Sequence, residues 1–243
     1  MKEELFHSMA EVERDHWWFA GRRRIVEHVL SGLELPADAR ILELGCGTGG
    51  NLDLLSRFGK VRAVELDDTA RAYAQGRGRV EVVEGSLPDG VPFEDASFDL
   101  IVLLDVLEHV ERDRESLTRI ESLLAPGGRL LLTVPALRML WSEHDEEHHH
   151  HRRYHRGELV EMVRAAGLQV RVASYYNTWL FPLVAAARGW NRLTGRKAEA
   201  DLEVPAPPVN RTLESIFASE RHVVTKWTLP VGVSLLLVAQ RRA

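Results

Sequence analysis

The glycine-rich turn at residues 45–50 constrains the fold of this chain more than any other feature of its sequence. Before the turn, Arg40–Leu44 (R-I-L-E-L) has the length and apolar content of a buried strand, and after it residues 51–58 have the spacing of a helix. The turn itself, G-C-G-T-G-G, consists mostly of glycines, which adopt the tight conformations needed between a strand and a helix. The order of strand, glycine turn and helix predicts a βα unit of a layered α/β domain.

Short apolar runs alternate with helical segments over residues 40–135, and related elements follow them. Alternating strands and helices form right-handed βαβ units, so their strands lie parallel and end at one edge of the sheet. The pattern therefore predicts an α/β fold with a mainly parallel seven-stranded sheet and helices on both faces. The fifth strand is expected to start after a turn at residues 126–128, P-G-G. The predicted strands are residues 40–44, 62–66, 80–84, 98–104, 130–134, 169–175 and 233–239, and the predicted helices between them include 51–58, 68–76, 113–124, 157–166 and 209–224.

The length and composition are typical of one globular domain, since 45% of the 243 residues are hydrophobic and 28% are charged. We expect residues 1–243 to form that single domain. Its expected parts are an N-terminal helical lid (1–35), a core (36–175), a helical cap or insertion (176–228) and a last core strand (229–243).

Charge and cysteine content restrict the partners and the compartment. A net charge of −5 gives no general basic field, so no nucleic-acid partner is expected. Cys46 is the one cysteine, which rules out a disulfide within the chain. The first ten residues lack the apolar core of a signal peptide, and no apolar run reaches the roughly 20 residues that span a bilayer as a helix. These features predict a cytoplasmic protein.

The glycine turn and an acidic residue downstream predict a ligand. The pattern Gly45-x-Gly47-x-x-Gly50 leads into a helix, whose first amides are free to bind an anion or a polar group. Glu65 lies at the end of the second predicted strand, next to its last residue, where a carboxylate accepts hydrogen bonds from ribose hydroxyls. The combination favours a ligand that contains adenosine, and by itself it fits a nicotinamide cofactor as well as others.

Four sequence motifs together resemble the class I methyltransferases that depend on S-adenosylmethionine (SAM). They are E-L-G-C-G-T-G-G at 43–50, V-E-L-D at 64–67, F-D-L-I-V-L-L-D-V-L-E-H-V at 98–110 and L-L-A-P-G-G-R-L-L-L-T-V-P at 123–135. They occur in the order found in that family. The resemblance implies a Rossmann-like fold, SAM as the methyl donor and S-adenosylhomocysteine as the product.

The same resemblance implies the cofactor-binding residues. Glu43 and the backbone of Gly45 and Gly47 are expected to hold the methionine end of SAM, with Cys46 as a small buried residue in that loop. The remaining expected contacts are Glu65 with the ribose, Leu66 with the adenine, Ser86 and Leu87 beside the adenine amine, and Leu104 and Asp105 beside the sulfonium. Ser86 stands where the family often has an acidic residue.

Segments outside these motifs resemble a bacterial branch of the family that acts on small molecules or on intermediates of glycan pathways. They are H-W-W-F-A-G-R-R-R at 16–24 and W-S-E-H-D-x4-H-x-R-R-Y at 141–154. We interpret Trp18 as part of a lid over the cofactor, with Arg22 near the cofactor carboxylate. Trp17 either joins the lid or docks its ring on the core.

Six histidines lie between His144 and His155, and they permit several interpretations. Histidine and carboxylate side chains bind zinc or iron, yet the four consecutive histidines at 148–151 cannot all face one point, so the sequence assigns no metal ligand. The segment is expected to be a solvated loop after the fifth strand. Because that loop borders the acceptor pocket in this fold, the candidate bases are His144, His150 and Tyr154, with His109 as a further candidate or a structural residue.

The sequence thus predicts a SAM-dependent methyltransferase, monomeric or homodimeric, that acts on an oxygen, nitrogen or carbon atom of a small-molecule or lipid-linked acceptor. Residues 175–192 either cap the acceptor pocket or contact a membrane peripherally. Two alternatives stay open, a nicotinamide-dependent oxidoreductase and a SAM-binding subunit without catalytic activity.

Overall fold

The computed structural model describes residues 3–78, 80–194 and 204–242, and in these residues seven strands form one sheet with the order β3-β2-β1-β4-β5-β7-β6. Residues 195–203, which fall in the predicted insertion, lie outside the described part. The strands are β1 (Arg40–Leu44), β2 (Lys60–Glu65), β3 (Glu81–Glu84), β4 (Phe98–Leu104), β5 (Leu124–Pro135), β6 (Gln169–Tyr176) and β7 (Ser234–Gln240).

Helices precede the sheet, connect its strands and separate β6 from β7. They are α1 (Glu3–Val12), α2 (Trp17–Ser31), α3 (Leu52–Leu55), α4 (Asp68–Gly76), α5 (Asp113–Leu123), α6 (Glu143–Glu147), α7 (Arg156–Ala165), α8 (Phe181–Thr194) and α9 (Pro207–Ser219). Short 3₁₀ turns occur at Leu107–His109, Arg138–Leu140 and Glu220–His222. The division into lid, core and cap stays a prediction.

The strand directions confirm the predicted mainly parallel sheet of the described chain. Strands β1 to β5 pair in parallel, and β7 runs antiparallel between β5 and β6. Parallel strands buried under helices should be apolar throughout, and β4 (F-D-L-I-V-L-L) follows this rule, with every residue but Asp99 buried or nearly so. Its observed ends match the predicted ones.

Strand β5 begins six residues before the predicted start, at Leu124 instead of residue 130. The P-G-G sequence at 126–128 lies within the strand, and the pairing with β4 shifts register between Phe98 and Leu100. Gly127 has φ of +75°, which suits an irregular strand of this kind. The residues that resemble a turn therefore form a bulged extension of β5.

Helices cover both faces of the sheet. On one face, apolar residues of α5 and α7 pack against β4 and β5, among them Leu117, Ile120 and Val163. On the other face, α2 and α9 pack together against the strands, with Ile25 and Phe217 fully buried. Because both faces are closed, the open surface lies at the edge where the parallel strands end.

The helices of the described residues are too short or too polar to cross a membrane. Exposed apolar side chains do occur on α8, including Leu183 and Trp190. Peripheral membrane contact, the cytoplasmic location and the oligomeric state stay predictions.

Candidate active site

A cavity of about 1430 Å³ lies at the carboxyl ends of β1, β2, β4 and β5. In α/β folds of this kind, ligands bind at that edge of the sheet. The volume exceeds the roughly 300–1,000 Å³ of a site for one small ligand, so the cavity has room for a cofactor and a second molecule. Its wall is formed by the loop after β1, the segments after β2, β4 and β5, helix α2 and helix α8.

The loop after β1 presents its backbone to this cavity. Gly45 has φ of +68°, and a Cβ atom there would lie 2.7 Å from Cγ2 of Val106, so only glycine fits. Gly47 has φ of +55°, and a Cβ atom there would have no neighbour within 4 Å in the described part of the chain. The backbone at Gly47 is therefore accessible to a ligand, as expected for a cofactor loop.

Glu65, at the end of β2, holds this loop in position. Its Oε2 accepts a hydrogen bond from the backbone N–H of Gly47 at 2.7 Å, and its Oε1 accepts one from the N–H of Asp67 at 3.0 Å. Asp67 in turn accepts hydrogen bonds from Thr69 and Ala70 and so caps α4. Leu66 stands beside them with 61% of its surface exposed, which leaves it available to pack on a flat ring.

Glu43 is a buried carboxyl group at the base of the loop. It is 1% exposed, its Oε1 accepts a hydrogen bond from Asn51 Nδ2 at 3.0 Å, and its Oε2 has no hydrogen-bond partner among the described residues. Burial raises its pKa to about 8, against the opposite effect of the bond from Asn51. A positively charged group that binds next to Oε2 would compensate for this burial.

Arg22 reaches the end of β4 from helix α2. Its guanidinium group pairs with the carboxylate of Asp105 and lies 4.5 Å from the ring centroid of Trp18. Asp105 has φ of +59°, a left-handed conformation that is uncommon outside glycine and marks functional sites. Arg22, which is expected near the cofactor carboxylate, thus contacts Asp105, which is expected near the sulfonium. Trp18 lines the cavity together with both residues.

Helices α1 and α2 also cover the cofactor loop from outside. Glu13 is buried between Gly50 and Arg77, and it forms an ion pair with Arg77. Arg77 Nε donates a hydrogen bond to the carbonyl oxygen of Thr48 at 2.8 Å. Trp17, by contrast, packs edge-on against Phe217 of α9, with the ring centroids 5.9 Å apart. Trp17 also lines the cavity, so it contributes both to this core contact and to the wall of the site.

The segment after β5 is not the solvated loop that the sequence predicts. Within this segment, the rings of His144 and His148 lie 4.1 Å apart. The ring of His150 lies 4.6 Å from that of His109, which belongs to the turn after β4. These four residues, which we call the histidine cluster, all line the cavity. Burial lowers the pKa of His109 and of His144 to about 3, so both imidazoles are neutral at pH 7.

Polar contacts with Asp145 explain why this segment turns inward. Asp145 is fully buried, and its Oδ1 accepts hydrogen bonds from His150 Nδ1 at 2.9 Å and from Arg153 Nε at 2.7 Å. Burial raises the pKa of Asp145, yet these two donors outweigh burial and bring it below its ordinary value. Arg153 also donates to the carbonyl oxygen of Ala136 at 3.1 Å, which ties the segment to the end of β5.

The structure does not bring Tyr154 to the cavity with the other expected bases. Its side chain is buried in the core, where its hydroxyl donates a hydrogen bond to Asp113 Oδ2 at 3.0 Å. Burial raises the pKa of this hydroxyl, so the group stays protonated. It is therefore not placed to act as a base.

The other expected cofactor residues do line the cavity. Cys46 is buried, and burial raises the pKa of its thiol, in keeping with a small structural residue. Ser86 and Leu87, which are expected beside the adenine, line the cavity after the end of β3. Leu104, which is expected beside the sulfonium, lines it at the end of β4.

Sequence reasoning missed several residues of this site. Glu108 has a fully buried side chain on the cavity wall, and Asn51 binds Glu43. Asp145 and Glu13 were missed as well. Glu108 and Asp145 both belong to motifs quoted above, L-E-H and H-D. Each acidic residue directly precedes or follows a candidate histidine, and that proximity could have identified it as a site residue.

Comparison with known proteins identifies the family. A family model described as a methyltransferase domain matches residues 15–172, more than half of the chain. A ubiquinone biosynthesis O-methyltransferase from Xanthomonas axonopodis pv. citri is 29% identical over 194 residues, which cover 68% of this chain and 81% of that protein. A protein from Mycobacterium tuberculosis, named "Probable S-adenosylmethionine-dependent methyltransferase", is 31% identical over 130 residues, or 53% of this chain and 46% of that protein.

Among solved structures, a methyltransferase from Haloferax volcanii, in complex with the Trm112 methyltransferase activator, superposes with a TM-score of 0.62. The match covers 98% of each chain at 19% identity, so it shows a common fold. The relatives decide between the adenosine cofactors that the sequence left open, and they favour an enzyme over a subunit without activity. This chain belongs to the class I family of SAM-dependent methyltransferases, and SAM is its cofactor.

Proposed function

We propose that the enzyme transfers a methyl group to an oxygen atom of a small molecule bound between the cofactor loop and the histidine cluster. The observation that carries this proposal is the continuous cavity, which has the loop at 45–51 on one side and the histidine cluster on the other. The relative named as an O-methyltransferase supports oxygen as the acceptor atom.

At the cofactor end, the residues present fit SAM. The unpartnered Oε2 of Glu43 and the open backbone at Gly47 suit the charged methionine end, and Glu65 and Leu66 suit the ribose and the adenine. SAM supplies a methyl group bonded to a positively charged sulfur, and the protein has to orient it and exclude water. Trp18 and Arg22, both from helix α2, line this end of the cavity.

At the acceptor end, the histidine cluster provides nitrogen atoms that bind a hydroxyl group. Val184 and Ala187 of α8 line the same space with apolar side chains. In the transfer, the acceptor oxygen forms a bond to the methyl carbon while the carbon–sulfur bond breaks and sulfur keeps the electron pair. The hydroxyl proton leaves to solvent. His109, His144 and His150 are our proposed catalytic residues at this end.

An acceptor that offers oxygen and nitrogen at equivalent positions tests the proposal directly. We would incubate the enzyme with SAM and 1,2-dihydroxybenzene, 2-aminophenol or 1,2-diaminobenzene, and identify the products by mass spectrometry. We expect methyl ethers from the first two compounds and no product from the diamine. N-methylation of 2-aminophenol, or turnover of the diamine alone, would contradict an oxygen acceptor.

A further inference from the structure

Three side chains of the acceptor end have the chemistry of a metal site. Glu108, His109 and His150 each offer one ligand atom, and these atoms all lie within 4.8 Å of one another. They come from two separate elements, the 3₁₀ turn after β4 and the segment after α6. A zinc ion bonds such atoms at roughly 2.0–2.2 Å, so the three atoms would move closer together on binding it.

Glu108 is the strongest indication that a cation belongs here. Its side chain is fully buried, and neither carboxyl oxygen accepts a hydrogen bond from another described residue. A buried carboxylate without partners is costly, and proteins tolerate one where it is paired or coordinates a metal. Arg22, on the same wall, is already paired with Asp105. A cation between Glu108 and the two imidazoles would compensate for the buried carboxylate.

His150 is held as metal-ligating histidines commonly are. Asp145 accepts a hydrogen bond from its Nδ1 at 2.9 Å, which fixes the hydrogen on that nitrogen and leaves the Nε2 lone pair free to bind. Asp145 is itself held by Arg153 Nε at 2.7 Å and by the N–H of Ser142 at 2.9 Å. This chain of contacts orients the ring before any ion arrives.

We propose that Glu108, His109 and His150 bind a divalent metal ion, which keeps an open coordination position toward the cavity for the oxygen of the acceptor. Two histidines and one carboxylate with an open position are the ligand set of catalytic zinc sites and of related transition-metal sites. Methyl transfer exchanges no electrons with the protein, so a redox-inactive ion such as Zn²⁺ suffices. A coordinated hydroxyl group loses its proton to water more readily, which prepares it to attack. The role toward the acceptor rests on the proposed function, whereas the metal site itself does not.

Calorimetry on the full chain, produced without a polyhistidine tag, tests the site. After treatment with EDTA and dialysis, we expect the protein to bind one Zn²⁺ per chain. Since loss of a group that only orients a metal ligand already weakens binding about 10- to 100-fold, loss of a ligand itself in Glu108→Gln or His150→Gln should weaken it at least tenfold. SAM binding by each variant reports whether it is folded. The visible absorption of Co²⁺ added to the unaltered protein checks the coordination without any substitution.

A matched control comes from the same histidine run. His149 and His151 are exposed, and a run of exposed histidines can itself chelate zinc. The double variant His149→Gln/His151→Gln should keep the bound Zn²⁺. If this variant loses the metal while Glu108→Gln keeps it, or if the unaltered protein binds no stoichiometric Zn²⁺, the site is wrong.

The outcomes separate this site from the proposed function. Zn²⁺ binding without methylation of any hydroxyl acceptor would support the site and contradict the proposed function. Methylation of 1,2-dihydroxybenzene that EDTA leaves unchanged, with no bound Zn²⁺, would contradict the site and leave the proposed function standing.

Discussion

Glu43 is a residue whose ionisation should respond to the cofactor. Its pKa of about 8 means that the carboxyl group is mostly protonated at pH 7. In the proposed binding mode, the positive charge of the cofactor lies beside the unpartnered Oε2, and a nearby positive charge lowers the pKa of a carboxyl group. This binding mode couples cofactor binding to proton release at Glu43.

We predict that SAM binding at pH 7 releases up to one proton and becomes tighter as the pH rises from 6 to 9. Calorimetry in phosphate and in Tris, which differ in ionisation enthalpy, measures the number of protons released. Glu43→Gln removes the titrating group, so its binding should release no proton and should be independent of pH. Proton release that persists in this variant would show that another group is responsible.

The same shift affects stability without cofactor. Because the folded-state pKa of Glu43 lies above its ordinary value of 4.5, folding favours the protonated form. That contribution is fully present below pH 4.5 and is lost as the pH rises through 8. Burial raises the pKa of Glu13 and of Glu220 as well, so these groups act in the same direction.

At the scale of elements, the contact between α2 and α9 attaches the region after β6 to the core. Phe217 of α9 is fully buried, stacks on Tyr176 with ring centroids 5.8 Å apart, and touches Trp17. A Cβ atom on Gly21 would lie 2.6 Å from the Phe217 ring, so the two helices approach closely at that point.

We predict that Phe217→Ala lowers the free energy of unfolding by about 3–5 kcal/mol, the usual cost of removing a buried phenylalanine. The neighbouring Ile216, which is 38% exposed, provides the matched control, and Ile216→Ala should cost under about 1 kcal/mol. Urea denaturation followed by circular dichroism measures both variants. Similar losses in the two variants would mean that Phe217 does not anchor α9.

The elements that could be predicted from sequence are those whose pattern is local. Strand β4 is a continuous apolar run, and α4 begins at its own cap, Asp67, so the ends of both agree with prediction. The start of β5 was wrong because pairing with Phe98 overrides the turn preference of P-G-G. Tertiary contacts of that kind leave no periodic signal in the sequence.

The same distinction applies to the candidate site. The glycine loop and Glu65 follow from a spacing that the chemistry of a ribose ligand requires, and both lie on the cavity. The inward turn of the histidine cluster depends on the hydrogen bond from Arg153 to Asp145. A loop brings these two residues together, so their spacing does not follow the periodicity of a helix or a strand. Burial of Glu108 likewise arises only when the segment after β5 folds over it, since the N–H of His151 bonds to its carbonyl oxygen at 2.8 Å.

For the whole molecule, the cavity links the N-terminal helices, the sheet edge and α8, so a ligand in it contacts all three. We predict that SAM at a hundredfold excess over its Kd stabilises the fold by about 2.7 kcal/mol. In a chain of this length that raises Tm by about 5–10 °C. S-adenosylhomocysteine should act similarly and NAD should have no effect, as scanning calorimetry can measure. A shift with NAD alone would contradict the cofactor assignment.

The position of β7 has a consequence for synthesis on the ribosome. This strand follows all the others in the chain, yet it pairs with both β5 and β6. Until it emerges, the nascent chain carries two unpaired strand edges, and such edges recruit other chains. Premature termination before residue 234 should therefore yield an aggregating product and not a smaller soluble domain.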